Sequence, residues 1–575
     1  MHEYYLQETP SGRMTLIFRD KARQVRLHSA YDPVREAERA VESFNPGKAD
    51  LILVCGCALG YHLTLLRKRF PSCCILLIER DMDVLEMARK INPESLQELV
   101  LIQGAVDLQA FFESYDLSTF KGTAVYRHRP SYLLDQDYYD RMSADINQYL
   151  SSKLSDLLTR FEFEGKWIEN IVQNLHHVFS AVPVIDLFGK FSGYPGIIVS
   201  AGPSLKKNIG HISRLKDRVL IVAVDTALKV LLKHGMEPHI VMTLDAQRHS
   251  IKHFLGIPRI SAALLADMVS YPRILQKYPG PRIISTTSKY YNAPEGDLIR
   301  ETTPVMDWIE EYIRPIGDIQ SGGSVATSAF DLLLNLGCDP IILTGQDLAY
   351  TGREIHCTGT HHNEEWLPRI SRFVNLDTIN QNVVRKRKIK LIPAYGNRDS
   401  VISDFVFDLY RGWFEDSAAK VSIDVINATE GGARIINTRE LSLEDLASGI
   451  PPAAQSPQAI LTEILNSSQR QDAQPMLSAL DNAISDIHIL LNSENEEETD
   501  LTSPANSIRR FMEKETTIRI LAPFLRKTQI YLARHPEIGE EKAMKMQSGD
   551  ILAAAKRILP HLIRARNQIQ SPSGE

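Results

Sequence analysis

Residues 197–208 read IIVSAGPSLKKN: an apolar run, a Gly-Pro-Ser turn, then polar residues that open a helix. The run at 196–200 suits a short strand buried on both faces. Gly202 lets the backbone approach a ligand closely. Pro203 is tolerated where a helix starts, because its missing N–H has no helical partner there. Ser204 can cap the helix and donate to a phosphate. The orphan N–H groups and the helix dipole favour an anion at this point. A plain strand-to-helix turn would carry the same residues.

The same rhythm continues outward. Apolar runs recur at 219–224, 239–244, 262–266, 282–286, 340–345 and 389–394. Helical patterns separate most of them, which predicts a mostly parallel α/β sheet over 185–450. Asp225 and Asp245 each follow such a run. Both are expected at the carboxyl edge of the sheet, where ligands bind in such folds. A carboxylate there can accept sugar hydroxyls, hold a metal, or simply cap a helix. Ser321, Gly322, Gly323 and Ser324 precede an amphipathic helix and make a second candidate anion cradle. The run at 340–345 ends in Gly345-Gln346-Asp347, with His356, His361 and His362 soon after. A histidine near a strand-end acid suits a general base; surface-loop histidines are the plainer alternative.

The N-terminal part has its own α/β order. Residues 4–28 alternate around a Thr-Pro-Ser-Gly turn, as a hairpin and a third strand would, and Asp32-Pro33 opens a helix. LILVC at 51–55 leads into Gly56-Cys57-Ala58-Leu59-Gly60, a helix, and a second run ending at Glu79. Strand, glycine turn, helix, strand-end acid is the Rossmann order, although the spacing is G-x-x-x-G. It leaves open a scaffold, a nucleotide site or an S-adenosylmethionine site. The expected segments are 1–150 (hairpin plus Rossmann-like domain), 151–184 (helical connector), 185–450 (central domain) and 451–575 (helical bundle). The bundle is interrupted by an acidic tract at 492–504 and ends in a frayed SPSGE.

Composition sets outer bounds. With 575 residues, about three to five domains are expected. Lys plus Arg total 65 against 71 Asp plus Glu, so the net charge of −6 argues against a general nucleic-acid binder. No apolar run reaches the roughly 18 residues of a membrane helix, and MHEYYLQETP lacks a signal-peptide core. A cytoplasmic protein is expected. The six cysteines match no common zinc spacing and read as reduced residues packed in strands; no metal ligand set is expected. Trp308, Trp366 and Trp413 read as core.

Three segments together resemble the central domain of motility-associated factor (Maf) proteins. They are VSAGPSL at 199–205, the stretch from SGGSVATSAF at 321 to TGQDLAYTG with His356, and VINATEGGARI at 425–435. RLHSAYDPVREAER at 26–39 and the order of domains also resemble that family. The resemblance implies a flagellin glycosyltransferase. It implies an inverting transfer of a nonulosonic acid, of the pseudaminic or legionaminic type, from a CMP-sugar to Ser or Thr hydroxyls, without a metal or a tightly bound cofactor. It implies a sialyltransferase-like central fold in which Gly202, Pro203, Ser204, Ser321, Gly322, Gly345 and Asp347 surround CMP. His356, or next His361, would be the base. The sialyltransferases carry Asn at the positions of Ala201 and Asp225. An archaeal group with a similar Gly-Pro-Ser-Leu turn transfers pyrophosphate from ATP to a hydroxymethylpterin with magnesium, for which Asp225, Asp245 and Asp347 would serve as ligands. A non-catalytic flagellin-binding partner is a further alternative.

Overall fold

The computed structural model describes residues 3–571 except 116, 118, 119, 293–297, 398, 470, 493–507, 510 and 536. The acidic tract beyond Asn492 and the SPSGE end beyond Ser571 therefore lie outside the described residues. The chain is α/β and divides into two packed units: Met1–Glu162 with Gln529–Ile538, and Phe163–Thr528 with Gly539–Glu575.

In the first unit, β1 (Glu3–Glu8), β2 (Met14–Arg19) and β3 (Gln24–Arg26) form a small antiparallel sheet. The helix Pro33–Ser43 is capped by Asp32, whose side chain accepts from Arg35 N–H. A parallel sheet follows, built of β4 (Leu51–Cys55), β5 (Cys74–Ile78), β6 (Val100–Ile102) and β7 (Thr123–Arg127), in the order β6-β5-β4-β7. All five residues of β4 are buried, because helices cover both faces of such a sheet. The chain leaves β4 to one side and returns on the other at β7, which is the Rossmann arrangement.

The second unit carries a ten-stranded, all-parallel sheet. Its strands are β8 (Val182–Pro183), β9 (Gly196–Val199), β10 (Leu220–Val224), β11 (Ile240–Thr243), β12 (Ala263–Asp267), β13 (Arg282–Thr287), and, beyond the small hairpin β14 (Lys289–Asn292) and β15 (Leu298–Glu301), β16 (Asp318–Ile319), β17 (Ile341–Thr344) and two later strands. Between them, β18 (Ile389–Pro393) and β19 (Ser400–Asp404) pair with each other as an antiparallel hairpin. The run at 389–394 is thus not a strand of the main sheet as its apolar character suggested. Leu391 is 72% exposed, and the lysines and proline around it suit a hairpin rather than a core strand. The sheet place falls to β20 (Val425–Asn427), followed by β21 (Arg439–Glu440).

The order across the sheet is β16-β13-β12-β11-β10-β9-β17-β20-β21, with β8 beside β13. The chain moves outward from β9, then returns to its other side at β17. The gap between the carboxyl ends of β9 and β17 is the switch point, where open parallel sheets place ligands. The C-terminal helices Gln474–Asn492, Glu515–Arg534 and Glu540–Gln570 contribute Leu480, Ile520 and Ile558 to a core shared with Val241, Leu264 and Ile284 of the sheet. Of the tryptophans, Trp308 is core at 2% exposure, while Trp366 and Trp413 are half-buried. Cys55, Cys57, Cys338 and Cys357 are buried and all six cysteines are free; Cys55 and Cys74 lie in strands, the others in connecting loops.

Candidate functional site

Two turns meet at the switch point, and each is shaped by the other. Gly202 N–H donates to the Gly345 carbonyl at 2.8 Å. A Cβ on Gly202 would fall 2.1 Å from Asp347 Oδ1 and 2.4 Å from that carbonyl, so only glycine permits the approach. Gly345 has φ +61°, and a Cβ there would meet the Ser200 carbonyl at 2.2 Å. A third segment, in the stretch at 425–435, locks onto both. A Cβ on Gly431 would meet Ser204 Oγ at 2.1 Å, and one on Gly432 the Asp347 carbonyl at 2.2 Å.

Asp347 is the hub of this knot. It is 2% exposed and accepts from Ser204 N–H (3.2 Å), Ser204 Oγ (2.7 Å) and Thr351 Oγ1 (2.6 Å). Burial raises its pKa, and those three donors oppose the rise. Ser204 was expected to cap the following helix, Leu205–Leu215, but makes no capping bond; its hydroxyl goes to Asp347. Ser204→Ala removes one of three donors from a buried carboxylate. A stability loss of about 1–3 kcal/mol is expected, read from the urea midpoint. An unchanged midpoint would mean that water replaces the hydroxyl.

A cleft of about 190 Å³ opens beside this knot. Ser200, Gly202 and Gln346 form one wall, and Asp225 with Thr226 another. Ser324, Val325, Ala326, Tyr410 and His356 complete it. Three helices start at its edge: Leu205–Leu215, Asp225–Lys233 and Val325–Leu336. Several N–H groups at these starts are engaged: Ser204 N–H by Asp347, Leu205 N–H by the Gly202 carbonyl, Thr226 N–H by Asp225 and Thr327 N–H by Ser324 Oγ. The dipoles of all three helices favour an anion there.

The cradle expected at 321–324 reaches the cleft only through Ser324. Gly322 N–H donates to Thr327 Oγ1, Gly323 N–H to Ser321 Oγ, and Ser324 Oγ accepts from Thr327 N–H. The turn thus satisfies its own donors, and Gly322 packs so closely on Trp413 that a Cβ would lie 2.4 Å from the indole. Val325 and Ala326 line the cleft beside Ser324. The sequence cue marked the helix start correctly but not which N–H groups remain open.

Asp225 lines the cleft, yet its carboxylate accepts from Thr226 N–H (2.6 Å), Thr226 Oγ1 (3.1 Å) and Thr243 Oγ1 (2.8 Å). Burial raises its pKa against these donors and against the nearby His362. Asp245 is not among the residues lining the cleft. It accepts from Gln247 N–H and lies 3.3 Å from His249 Nε2.

His356 belongs to a cluster of imidazoles in which it stacks on His362 while His253 meets His361 and His362 edge-on. Its ring centroid lies 5.0 Å from that of His362 at an interplanar angle of 20°; His253 lies 5.4 Å from His362 and 5.8 Å from His361. Burial first, then repulsion from His362 and His253, pushes the pKa of His356 down to about 3. His356 is therefore neutral at pH 7 and able to accept a proton. His361 is one step back, with Nε2 3.4 Å from Glu365 Oε2, and does not line the cleft. His253 and Tyr410 had no local signal, because each joins the site from a distant segment; Thr226 and Gln346 lie beside the strand-end acids already singled out.

Residues 169–353 match a family model described as 6-hydroxymethylpterin diphosphokinase MptE-like. An uncharacterised protein of Treponema pallidum (strain Nichols) is 25% identical over 355 residues, covering 59% of this chain and 58% of that protein. A second from the same organism is 26% identical over 237 residues, covering 38% of this chain and 60% of its own. The chain thus spans about three fifths of the length of these curated relatives. Among solved structures, a Maf glycosyltransferase from Magnetospirillum magneticum AMB-1 matches with a TM-score of 0.54, covering 99% of this chain and 93% of that one at 14% identity. That likeness extends to the fold.

Proposed function

We propose that this protein is a glycosyltransferase that moves a nonulosonic acid from a CMP-sugar to Ser or Thr hydroxyls of flagellin, in the cytoplasm and in support of flagellum assembly and motility. The observation that carries the reading is the cleft at the β9/β17 switch point, with three helix starts and a neutral histidine at one wall. The shared fold with a Maf glycosyltransferase supports it.

In this mechanism the dipoles of the helices starting at Leu205, Asp225 and Val325 hold the donor phosphate. The bond from the anomeric carbon to the phosphate oxygen breaks, and CMP leaves with the electron pair. The acceptor oxygen bonds to the anomeric carbon from the other side. Its proton passes to the free nitrogen of His356. The helix dipoles stabilise charge gathering on the departing phosphate. A phosphate beside His356 also favours the imidazolium once it forms, offsetting its low pKa in the empty site.

The family-model match raises a second reading, transfer of pyrophosphate from ATP, which needs magnesium. Its ligands would be drawn from Asp225, Asp245 and Asp347. The carboxylates of Asp225 and Asp347 are turned onto threonine and serine hydroxyls, an arrangement that does not fit a magnesium site.

Thermal unfolding with added ligand separates these readings. CMP at a hundred times its dissociation constant should stabilise the protein by about 2.7 kcal/mol without magnesium. A shift with magnesium-ATP and none with CMP would favour pyrophosphate transfer. A CMP shift without CMP release from donor and flagellin would favour a non-catalytic partner.

A further inference from the structure

The first unit has its own switch point, and a separate cavity of about 510 Å³ lies at the carboxyl edge of its sheet. That volume is in the range of small-molecule sites, which run from about 300 to 1,000 Å³. The β1–β3 sheet supplies Tyr4 and Phe18 to its wall; Glu79 and Asp81 follow β5, and Ser131 follows β7.

The glycine turn at 56–60 is closed to phosphate. Cys57 N–H donates to Glu79 Oε2 at 3.1 Å, and Leu59 N–H to His28 Nε2 at 3.0 Å. A Cβ on Gly56 would fall 2.3 Å from Ser131 Cβ, and one on Gly60 2.4 Å from Ser95 Oγ. Protein atoms fill the place where a pyrophosphate would approach the backbone. The N–H groups of Gly56, Cys57, Leu59 and Gly60 are taken by protein acceptors.

The cavity's charge points the same way. Glu79, Asp81 and Asp135 line it against a single cation, Arg80, which is itself ion-paired with Asp135. The field inside is negative, so a phosphate is repelled and a cation attracted. Tyr138 and Tyr139 line the cavity, and the Arg80 guanidinium 4.8 Å from the Tyr138 ring centroid shows a cation seated on an aromatic face there. Carboxylates at a Rossmann strand end suit ribose hydroxyls. Here Glu79 accepts from Cys57 N–H, Asp81 N–H and Tyr139 Oη, and Asp81 from Tyr4 Oη and Asp83 N–H, so a ribose hydroxyl would share or displace the tyrosine hydroxyls.

We propose that this cavity is a second ligand site, independent of the cleft in the other unit, for a phosphate-free nucleoside of the cationic sulfonium class. An uncharged nucleoside binds more weakly because it lacks the attraction to the acids. The site excludes phosphate-bearing nucleotides.

Titration calorimetry on the full chain tests this with S-adenosylmethionine, adenosine, NAD and ATP as probes. S-adenosylmethionine should bind, adenosine about tenfold more weakly. Met82→Trp fills the cavity from a half-exposed position and should abolish both without lowering the melting temperature. Asp135→Lys, at the solvent-exposed edge of the cavity, should weaken S-adenosylmethionine about tenfold and leave adenosine within about twofold. His356→Ala should change neither, which keeps this test apart from the transfer reaction. No binding of either nucleoside at millimolar concentration overturns the site. Binding that survives in folded Met82→Trp overturns its location. NAD or ATP binding that Met82→Trp blocks overturns the exclusion of phosphate.

Discussion

Replacing His356 with alanine is expected to cut sugar transfer by about 10²–10⁴-fold, the usual contribution of a general base. CMP affinity should stay within about threefold, because the phosphate is held by helix starts on other segments. The change removes the cleft's imidazole and leaves the Gly202–Asp347 knot intact. The measurement is the initial rate of transfer to flagellin, beside a CMP titration of the same preparation. Equal losses in both would make His356 a binding residue. A full rate in the variant would move the base elsewhere, with His362 and His361 next in line. Burial holds the His356 pKa near 3, so the free enzyme's rate should not decline as pH falls from 8 to 6. A decline centred near 6.5 would show an imidazole in ordinary surroundings instead.

Acidification is expected to open the first unit. His28, His62 and His128 sit together in its core, with ring centroids 4.7–5.1 Å apart. Burial lowers all three pKa values: His28 to about 3, His62 to about 4, and His128 well below the usual range. In the unfolded chain each returns to about 6.5. Below pH 6.5 the unfolded chain therefore binds more protons than the folded one, so stability is full above that pH and falls as pH drops toward the folded values. For a histidine shifted to about 4 or lower, the loss by pH 5 is about 2 kcal/mol. Burial raises the pKa of Glu79 and of Glu36 in the same unit, which works in the opposite sense, but two carboxyls stand against three imidazoles. Glu36, 4.0 Å from His28 Nδ1, lies more open to solvent and offers a protonated His28 partial compensation. Hydrogen exchange read on β4, β5 and β7 at pH 7 and pH 5, corrected for intrinsic rates, should show protection lost at the lower pH. Equal protection at both would mean that the three rings are already charged or hydrated.

Much of this was legible in the chain. Apolar runs buried on both faces mark a parallel sheet, since no antiparallel sheet with one wet face tolerates IIV, LIVAV and IILT in succession. Gly202 and Asp347 stood out because a strand-end glycine and a strand-end acid are local signals. The Asp32-Pro33 helix start held for the same reason, its cap bond spanning three residues. The run at 389–394 misled because apolar character does not say which partner a strand will pair with. Ser204 was recognised, but its partner was not: the hydroxyl bonds Asp347, 143 residues away. Ser321, Gly322 and Gly323 were recognised as a helix start, yet Thr327 and Trp413 close that turn and leave Val325 and Ala326 at the cleft. Composition and local pattern establish the elements and their edges, because those depend on neighbouring residues and on burial. Which donor meets which acceptor depends on segments that only the folded sheet brings together, and so the tertiary structure alone assigns the open N–H groups, the engaged carboxylates and the imidazole facing the cleft.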